Sequence, residues 1–127
     1  MRIGVTLPSM GHLAQPSNLV EVAQEAERLG YATLWAVDRL LYPLNPRTKY
    51  PVTADGSWPE VYKRVLDPIE SLTFVAAHTR RIGLGSSVLD LPFYNPVILA
   101  RRLTSLDIYP MGGCAPALAW AGRPTNS

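Results

Sequence analysis

A chain of 127 residues is one ordinary domain or part of a larger one. With 47% hydrophobic and 17% charged residues, it reads as globular rather than disordered. The formal net charge of +2 comes from scattered basic residues, and neither Arg80 and Arg81 nor Arg101 and Arg102 form a stripe interleaved with aromatics, which argues against a nucleic-acid partner.

Residues 3–7 are rich in β-branched side chains and stop at Pro8 and Ser9, which predicts a buried strand. Ser17 is placed to cap a helix running to about Leu29. Its Leu19, Val20, Ala23, Ala26 and Leu29, with Val22, recur at helical spacing, while Glu21, Glu25 and Arg28 face out. Gly30 sits where a helix stops, and residues 33–37 read as a second strand. Residues 39–66 differ: Pro43, Pro46, Pro51, Gly56 and Pro59 break any regular element. A loop this long is usually functional or mobile.

Asp67, Pro68 and Glu70 open a second helix in cap, first-turn proline and capping-box order, with an expected end near His78. Residues 82–89 read as a third strand whose Gly83 and Gly85 suggest a close approach. Asn95 and Pro96 open a third helix ending near Leu106 or Asp107. This βα, β-loop-α, βα order predicts a parallel sheet with crossover helices, its strands apolar on both faces. An open doubly wound sheet and a (β/α)8 barrel both fit. The first turn carries no G-x-G-x-x-G, which lowers the open-sheet reading. A barrel would be unfinished, since it normally needs about 250 residues.

The lone Cys114 forms neither an intrachain disulfide nor a zinc cluster and fits a reducing compartment. The 3–7 run is too short for a secretory leader, and no stretch reaches the roughly 20 apolar residues of a membrane span. The expectation is a cytoplasmic protein with no metal and no membrane contact.

More specific are Met1-Arg2-Ile3-Gly4-Val5, the segment from Ala26 to Tyr31 leading into Thr33-Leu34-Trp35-Ala36-Val37-Asp38, and the segment from Thr79 to Leu89 followed by Asn95-Pro96-Val97 and Ala100. In order and spacing over residues 1–108 they resemble the luciferase-like monooxygenase superfamily. The similarity is greatest to the branch using the deazaflavin coenzyme F420, and less to the FMN branch. The resemblance implies the N-terminal part, about three βα units, of an α/β (β/α)8 TIM barrel. In such a barrel the cofactor ring lies across the C-terminal ends of the strands. It implies that Asp38 contacts the cofactor and that Ser87 and Val88 lie at a bulge whose non-prolyl cis peptide backs the ring. Such a bond costs about 3–4 kcal/mol and persists only where the fold over-determines it. Many deazaflavin relatives carry His after the acidic residue; Arg39 stands there, which argues against a His-based acid/base role. No catalytic residue is assigned.

The resemblance stops after Asp107 and Ile108. Restoring one nucleotide before the Tyr109 codon lets the tail read as the family's Gly-rich continuation. Met111 followed by Gly112, and Trp120 followed by Ala121, each force a glycine codon where the family has Gly. Residues 1–108 are therefore expected to be a partial barrel domain, and 109–127 an out-of-frame tail without a native fourth strand. The intact parent is expected to be a flavin- or deazaflavin-dependent oxidoreductase acting on a small organic substrate, by hydride transfer or monooxygenation, and compatible with a homo-oligomer. The chain alone is expected to be inactive. The alternatives are a non-catalytic truncated fragment or pseudogene product, and a small α/β binding module.

Some residues carry plainer readings. Asp38 suits a loop cap, Ser87 and Val88 a plain strand end, and Trp35 core. Tyr42, Tyr50 and Trp58 either line a substrate pocket or only pin the long loop. His12 reads as a solvated loop residue, and His78 as a cation suited to a helix C-terminus.

Overall fold

The computed structural model describes residues 2–109. Three strands, β1 (Gly4–Thr6), β2 (Thr33–Ala36) and β3 (Gly83–Ser86), alternate with helices α1 (Pro16–Arg28), α2 (Pro68–Ala76) and α3 (Pro96–Ile108). The sheet is parallel in the order β1-β2-β3, with Gly4 beside Thr33 and Thr33 beside Gly83. Each strand is shorter than the apolar run that announced it, because pairing ends where the chain turns toward its next helix. The expected tail lies outside the described residues from position 110 onward.

Two helix starts are as expected. Asp67 Oδ1 accepts from the Ile69 and Glu70 amides at 2.8 and 3.0 Å, and Asn95 Oδ1 from those of Val97 and Ile98 at 3.0 and 3.2 Å. Glu70 does not close a capping box; its carboxylate takes a hydrogen bond from Arg102, tying α3 to the first turn of α2. Helix α1 starts two residues earlier than expected, at Pro16 with Gln15 as the flanking residue and no side-chain cap. Proline is favoured at N1, where its missing amide costs nothing and its fixed φ suits the first turn, and Ser17 therefore lies inside the helix. Its C-terminus is a Schellman motif: the Gly30 amide donates to Glu27 O and the Tyr31 amide to Ala26 O, with Gly30 at φ 81°. The turn carries Leu29 out of the apolar stripe, and it is exposed. Helix α2 stops before His78, whose ring Nδ1 instead lies 2.8 Å from Phe74 O.

One face of the sheet carries the core. Leu7, Leu34, Ala36, Ile82 and Leu84 pack with Leu19, Ala23 and Ala26 of α1, Leu72 and Val75 of α2, and Leu106 of α3. The opposite face is filled differently. A Cβ on Gly4 would lie 2.3 Å from Trp35 Nε1, and one on Gly85 2.7 Å from Trp35 Cζ3. The Trp35 indole therefore spans the neighbouring strands because both lack side chains beneath it. The expected close approach at Gly85 is that of this ring.

Helix α1 and strand β3 are joined by Glu27, whose Oε1 accepts from the consecutive amides of Arg80, Arg81 and Ile82 at 2.9, 2.5 and 2.9 Å. Burial raises the Glu27 pKa, but the three backbone donors outweigh it and hold the carboxyl below its ordinary range.

Glu27→Ala removes an acceptor of three amides at a half-buried site and is expected to cost about 1–2 kcal/mol, read as a lower urea midpoint. Because the folded pKa is depressed, this stability is full above the unfolded value near 4.3 and fades as pH falls through the folded one. The variant is therefore expected to show a shallower loss of stability below about pH 4. Gly85→Ala is expected to displace the indole, and the near-ultraviolet circular dichroism of the tryptophans reports it; an unchanged spectrum contradicts the packing described.

Candidate functional site

The C-terminal ends of β2 and β3 are adjacent because the strands pair in register, Ala36 beside Ser86. The Ser87 amide continues the ladder to Ala36 O at 3.0 Å. Beyond this point the segments following the two strands diverge and leave a cleft of about 400 Å³, lined by Met10, Val37, Asp38, Arg39, Leu40, Leu41, Tyr62, Val88, Asp90 and Phe93. Of the expected site residues, Asp38 and Val88 line it together. Ser87 does not: its hydroxyl lies 3.3 Å from Ala36 O. The Ser86 hydroxyl donates to Val88 O at 2.5 Å and fixes the strand end.

The peptide bonds of the described residues are all trans, so the cis bond implied at Ser87 and Val88 is not found. Both residues are exposed here, and the hydrogen bonds from Ser86 and Ser87 accommodate an ordinary trans turn. The several kcal/mol a cis bond requires are not demanded by the packing around it.

Asp38 is held rather than loose. Its Oδ2 accepts from the Asp90 amide at 3.0 Å and from the Tyr94 phenol at 3.1 Å. No described residue donates to Oδ1. Burial, then the hydrogen bond to Asp38, pushes the Tyr94 phenol well above its ordinary pKa, so it remains a donor throughout the physiological range. Asp90 in turn accepts from the Leu40 amide at 3.4 Å, closing the loop after β2 onto the loop after β3.

The long loop is laid over the segment following β1. Gly11 N donates to Arg64 O and Leu66 N to Ser9 O, around an antiparallel Met10–Val65 bridge. Tyr50 packs against Trp58 at 4.9 Å with the rings tilted by 51°, and meets Tyr62 at 5.9 Å; Tyr42 meets Trp58 edge-on at 6.4 Å. Of the three aromatics weighed from sequence, none lines the cleft; they pin the loop, and it is Tyr62 that reaches the cleft wall. The Arg39 guanidinium lies 4.1 Å from the Tyr62 ring centroid and 5.6 Å from that of Trp58. Tyr62, Asp90 and Tyr94 escaped sequence reasoning because their roles depend on contacts across 23 to 56 positions; an aromatic two residues before a helix-opening proline was the only local sign of Tyr94. His12 is exposed in the single 3-10 turn Gly11–Leu13. Among the described residues, no His, Cys, Asp and Glu groups are arranged to hold a metal, and no helix is long and apolar enough to cross a membrane.

With this geometry the chain can be set beside known proteins. Residues 1–115 match the family model of luciferase-like monooxygenases. An uncharacterized protein of Mycobacterium tuberculosis is 34% identical over 86 residues, covering 67% of this chain and 30% of that protein. The chain thus spans about 30% of the length of the curated relatives it matches. Among solved structures, the coenzyme F420-dependent tetrahydromethanopterin reductase of Methanopyrus kandleri superposes with a TM-score of 0.59 at 20% identity, covering 87% of this chain and 24% of that one. The FMN-bound oxygenating constituent of 3,6-diketocamphane monooxygenase from Pseudomonas putida gives 0.62 at 13% identity, covering 86% and 26%. The parallel α/β arrangement matches these enzymes over that share, as about three units of a (β/α)8 barrel do.

Tyr94→Phe is expected to free one side of Asp38 while leaving the Asp90 amide bound to it. The expected cost is about 1 kcal/mol, with faster hydrogen exchange at Asp90; unchanged exchange there contradicts a shared anchor. Asp38→Asn removes the charge facing the phenol and is expected to lower the Tyr94 ionisation midpoint in an alkaline absorbance titration.

Proposed function

We propose, on the premise that this chain belongs to the luciferase-like monooxygenase family, that it forms one wall of the cofactor site of a flavin-type oxidoreductase. The observation that carries the reading is Asp38. It stands at the C-terminal end of β2 beside Val88, clamped through one carboxylate oxygen by Asp90 and Tyr94, with no described donor on the other. A clamped carboxylate with one oxygen open to a cleft suits a ring N–H donor of a flavin or deazaflavin. Val88 would offer apolar surface to the ring, and Ser87 would hold the strand end through its backbone. Such a cofactor supplies hydride or oxygen chemistry when bound, and the protein orients and shields it. Coenzyme F420 is the favoured cofactor, with FMN the alternative, because the sequence resemblance is greater to the deazaflavin branch. The substrate is a small organic molecule, and cytoplasm is the expected location.

A second reading is a fragment without catalysis. In that reading residues 109–127 are an out-of-frame tail following a partial barrel over 1–108, which sequencing of the locus tests.

One wall must first offset several kcal/mol of lost ligand freedom. The 127-residue chain is therefore expected to show no binding of either cofactor at micromolar concentration in a fluorescence titration. A version with the frame restored before Tyr109 and the downstream barrel translated is expected to bind one of them. Asp38→Ala in that longer version is expected to weaken binding by roughly tenfold, the worth of one charge-assisted hydrogen bond. Micromolar binding by the short chain contradicts the single-wall reading, and no binding of either cofactor by the longer version overturns the cofactor assignment.

A further inference from the structure

We propose that Arg39 is the anchor for a carboxylate of an otherwise apolar substrate, bound in the cleft between the loops following β2 and β3. The guanidinium lines the cleft, yet among the described residues no hydrogen bond or ion pair engages it. It is held by the Tyr62 face at 4.1 Å and the more distant Trp58 face at 5.6 Å. Contact with an aromatic face restrains a guanidinium while leaving N–H donors at its edge, the geometry that a carboxylate meets with two parallel hydrogen bonds. The cation is thus positioned beforehand, so little side-chain entropy is lost on meeting an anion.

The rest of the lining fixes the character of the ligand. Val37, Leu40, Leu41, Val88, Phe93 and Met10 are apolar, and Leu40, Leu41, Val88 and Phe93 are exposed at 56, 67, 53 and 63%. The volume of about 400 Å³ falls within the roughly 300–1,000 Å³ of small-molecule sites. Asp38 and Asp90 also line the cleft and would repel a carboxylate beside them. Both already accept hydrogen bonds, from the Asp90 amide and Tyr94 and from the Leu40 amide. The cation alone lacks a partner, so the anionic end belongs at Arg39 and the apolar body against the leucines and Phe93. The assignment of this ligand as substrate rests on the cofactor-wall reading; the binding of the carboxylate does not.

The test is an NMR titration of the 15N-labelled 127-residue chain with octanoate, methyl octanoate and inorganic phosphate as separate arms. Octanoate is expected to shift the Arg39 Nε–H and the Leu40 and Leu41 amides at low-millimolar concentration. The methyl ester, which keeps the body and loses the charge, is expected to bind about tenfold more weakly, as is phosphate, which has charge without a body. Arg39→Gln is expected to abolish the preference for octanoate over its ester, and Arg39→Lys to retain part of it. Equal binding of acid and ester by the unaltered chain, phosphate as strong as octanoate, or no shift at Arg39 overturns the proposal, and none of these depends on a variant folding. No cofactor is present in the titration, so its failure leaves the cofactor assignment standing, and the converse holds.

Discussion

A single carboxylate oxygen holds the βα repeats together as a unit. Glu27 leaves the last turn of α1 and takes the three consecutive amides that lead into β3. Those amides precede the strand ladder and would otherwise need water or a turn of their own. Because the acceptor is charged, the junction is stronger than a neutral one. It fixes where β3 starts and thereby its register against β2, and the register decides which residues emerge at the far end. Gly30, three residues on, lets the chain reverse immediately after the glutamate and enter β2. The Ala26 to Tyr31 segment that carries part of the family resemblance is therefore a joint: one residue grips the next-but-one strand and one turns the chain.

Register has its consequence at the opposite end of the sheet. With Ala36 beside Ser86, Asp38 leaves β2 opposite Val88 with its carboxylate within reach of the Asp90 amide, and the two loops bind each other through the Asp90 amide and the Leu40 amide. A slip of one residue would reverse every side chain on β3. It would put Leu84 where Gly85 lies under Trp35, a place with no room for a side chain. The glycines under the indole thus guard the same register that Glu27 sets. Stability at one end and the geometry of the cleft at the other are two results of the same pairing.

In the cleft the neighbours Asp38 and Arg39 carry opposite charge and are differently prepared. Asp38 is clamped by donors on one oxygen. Arg39 is steadied by aromatic faces that make no demand on its N–H edge. Adjacent residues leaving a strand have their side chains on different sides, which is how neighbours in sequence can serve separate ends of a ligand. The long loop completes this arrangement. Its aromatic cluster was weighed as a pocket lining, yet its effect on the cleft is indirect: Tyr50 and Trp58 support Tyr62, and Tyr62 supports Arg39.

Much of the fold was legible in the sequence because its causes are local. Asp67 before Pro68, and Asn95 before Pro96, cap helices through amides two and three residues away, and Gly30 ends one through its own φ. The alternation of apolar strands with helices pointed to a parallel sheet, since parallel neighbours must be joined by crossover connections. Asp38 and Val88, both expected near a site from the resemblance, line one cleft. Tertiary structure alone decided the rest. Glu70 lay in capping-box spacing but met a stronger partner in Arg102, and the cap position expected of Ser17 falls on Gln15 because the helix already begins at Pro16. The trans bond at Ser87 and Val88, the stacking of Arg39, and the clamp of Tyr94 and Asp90 on Asp38 all depend on groups dozens of residues apart in the chain. Local patterns reveal which groups seek partners; only the folded chain decides which partners lie within reach, because hydrogen bonds and ring contacts act over a few ångströms and sequence separation says nothing of that distance.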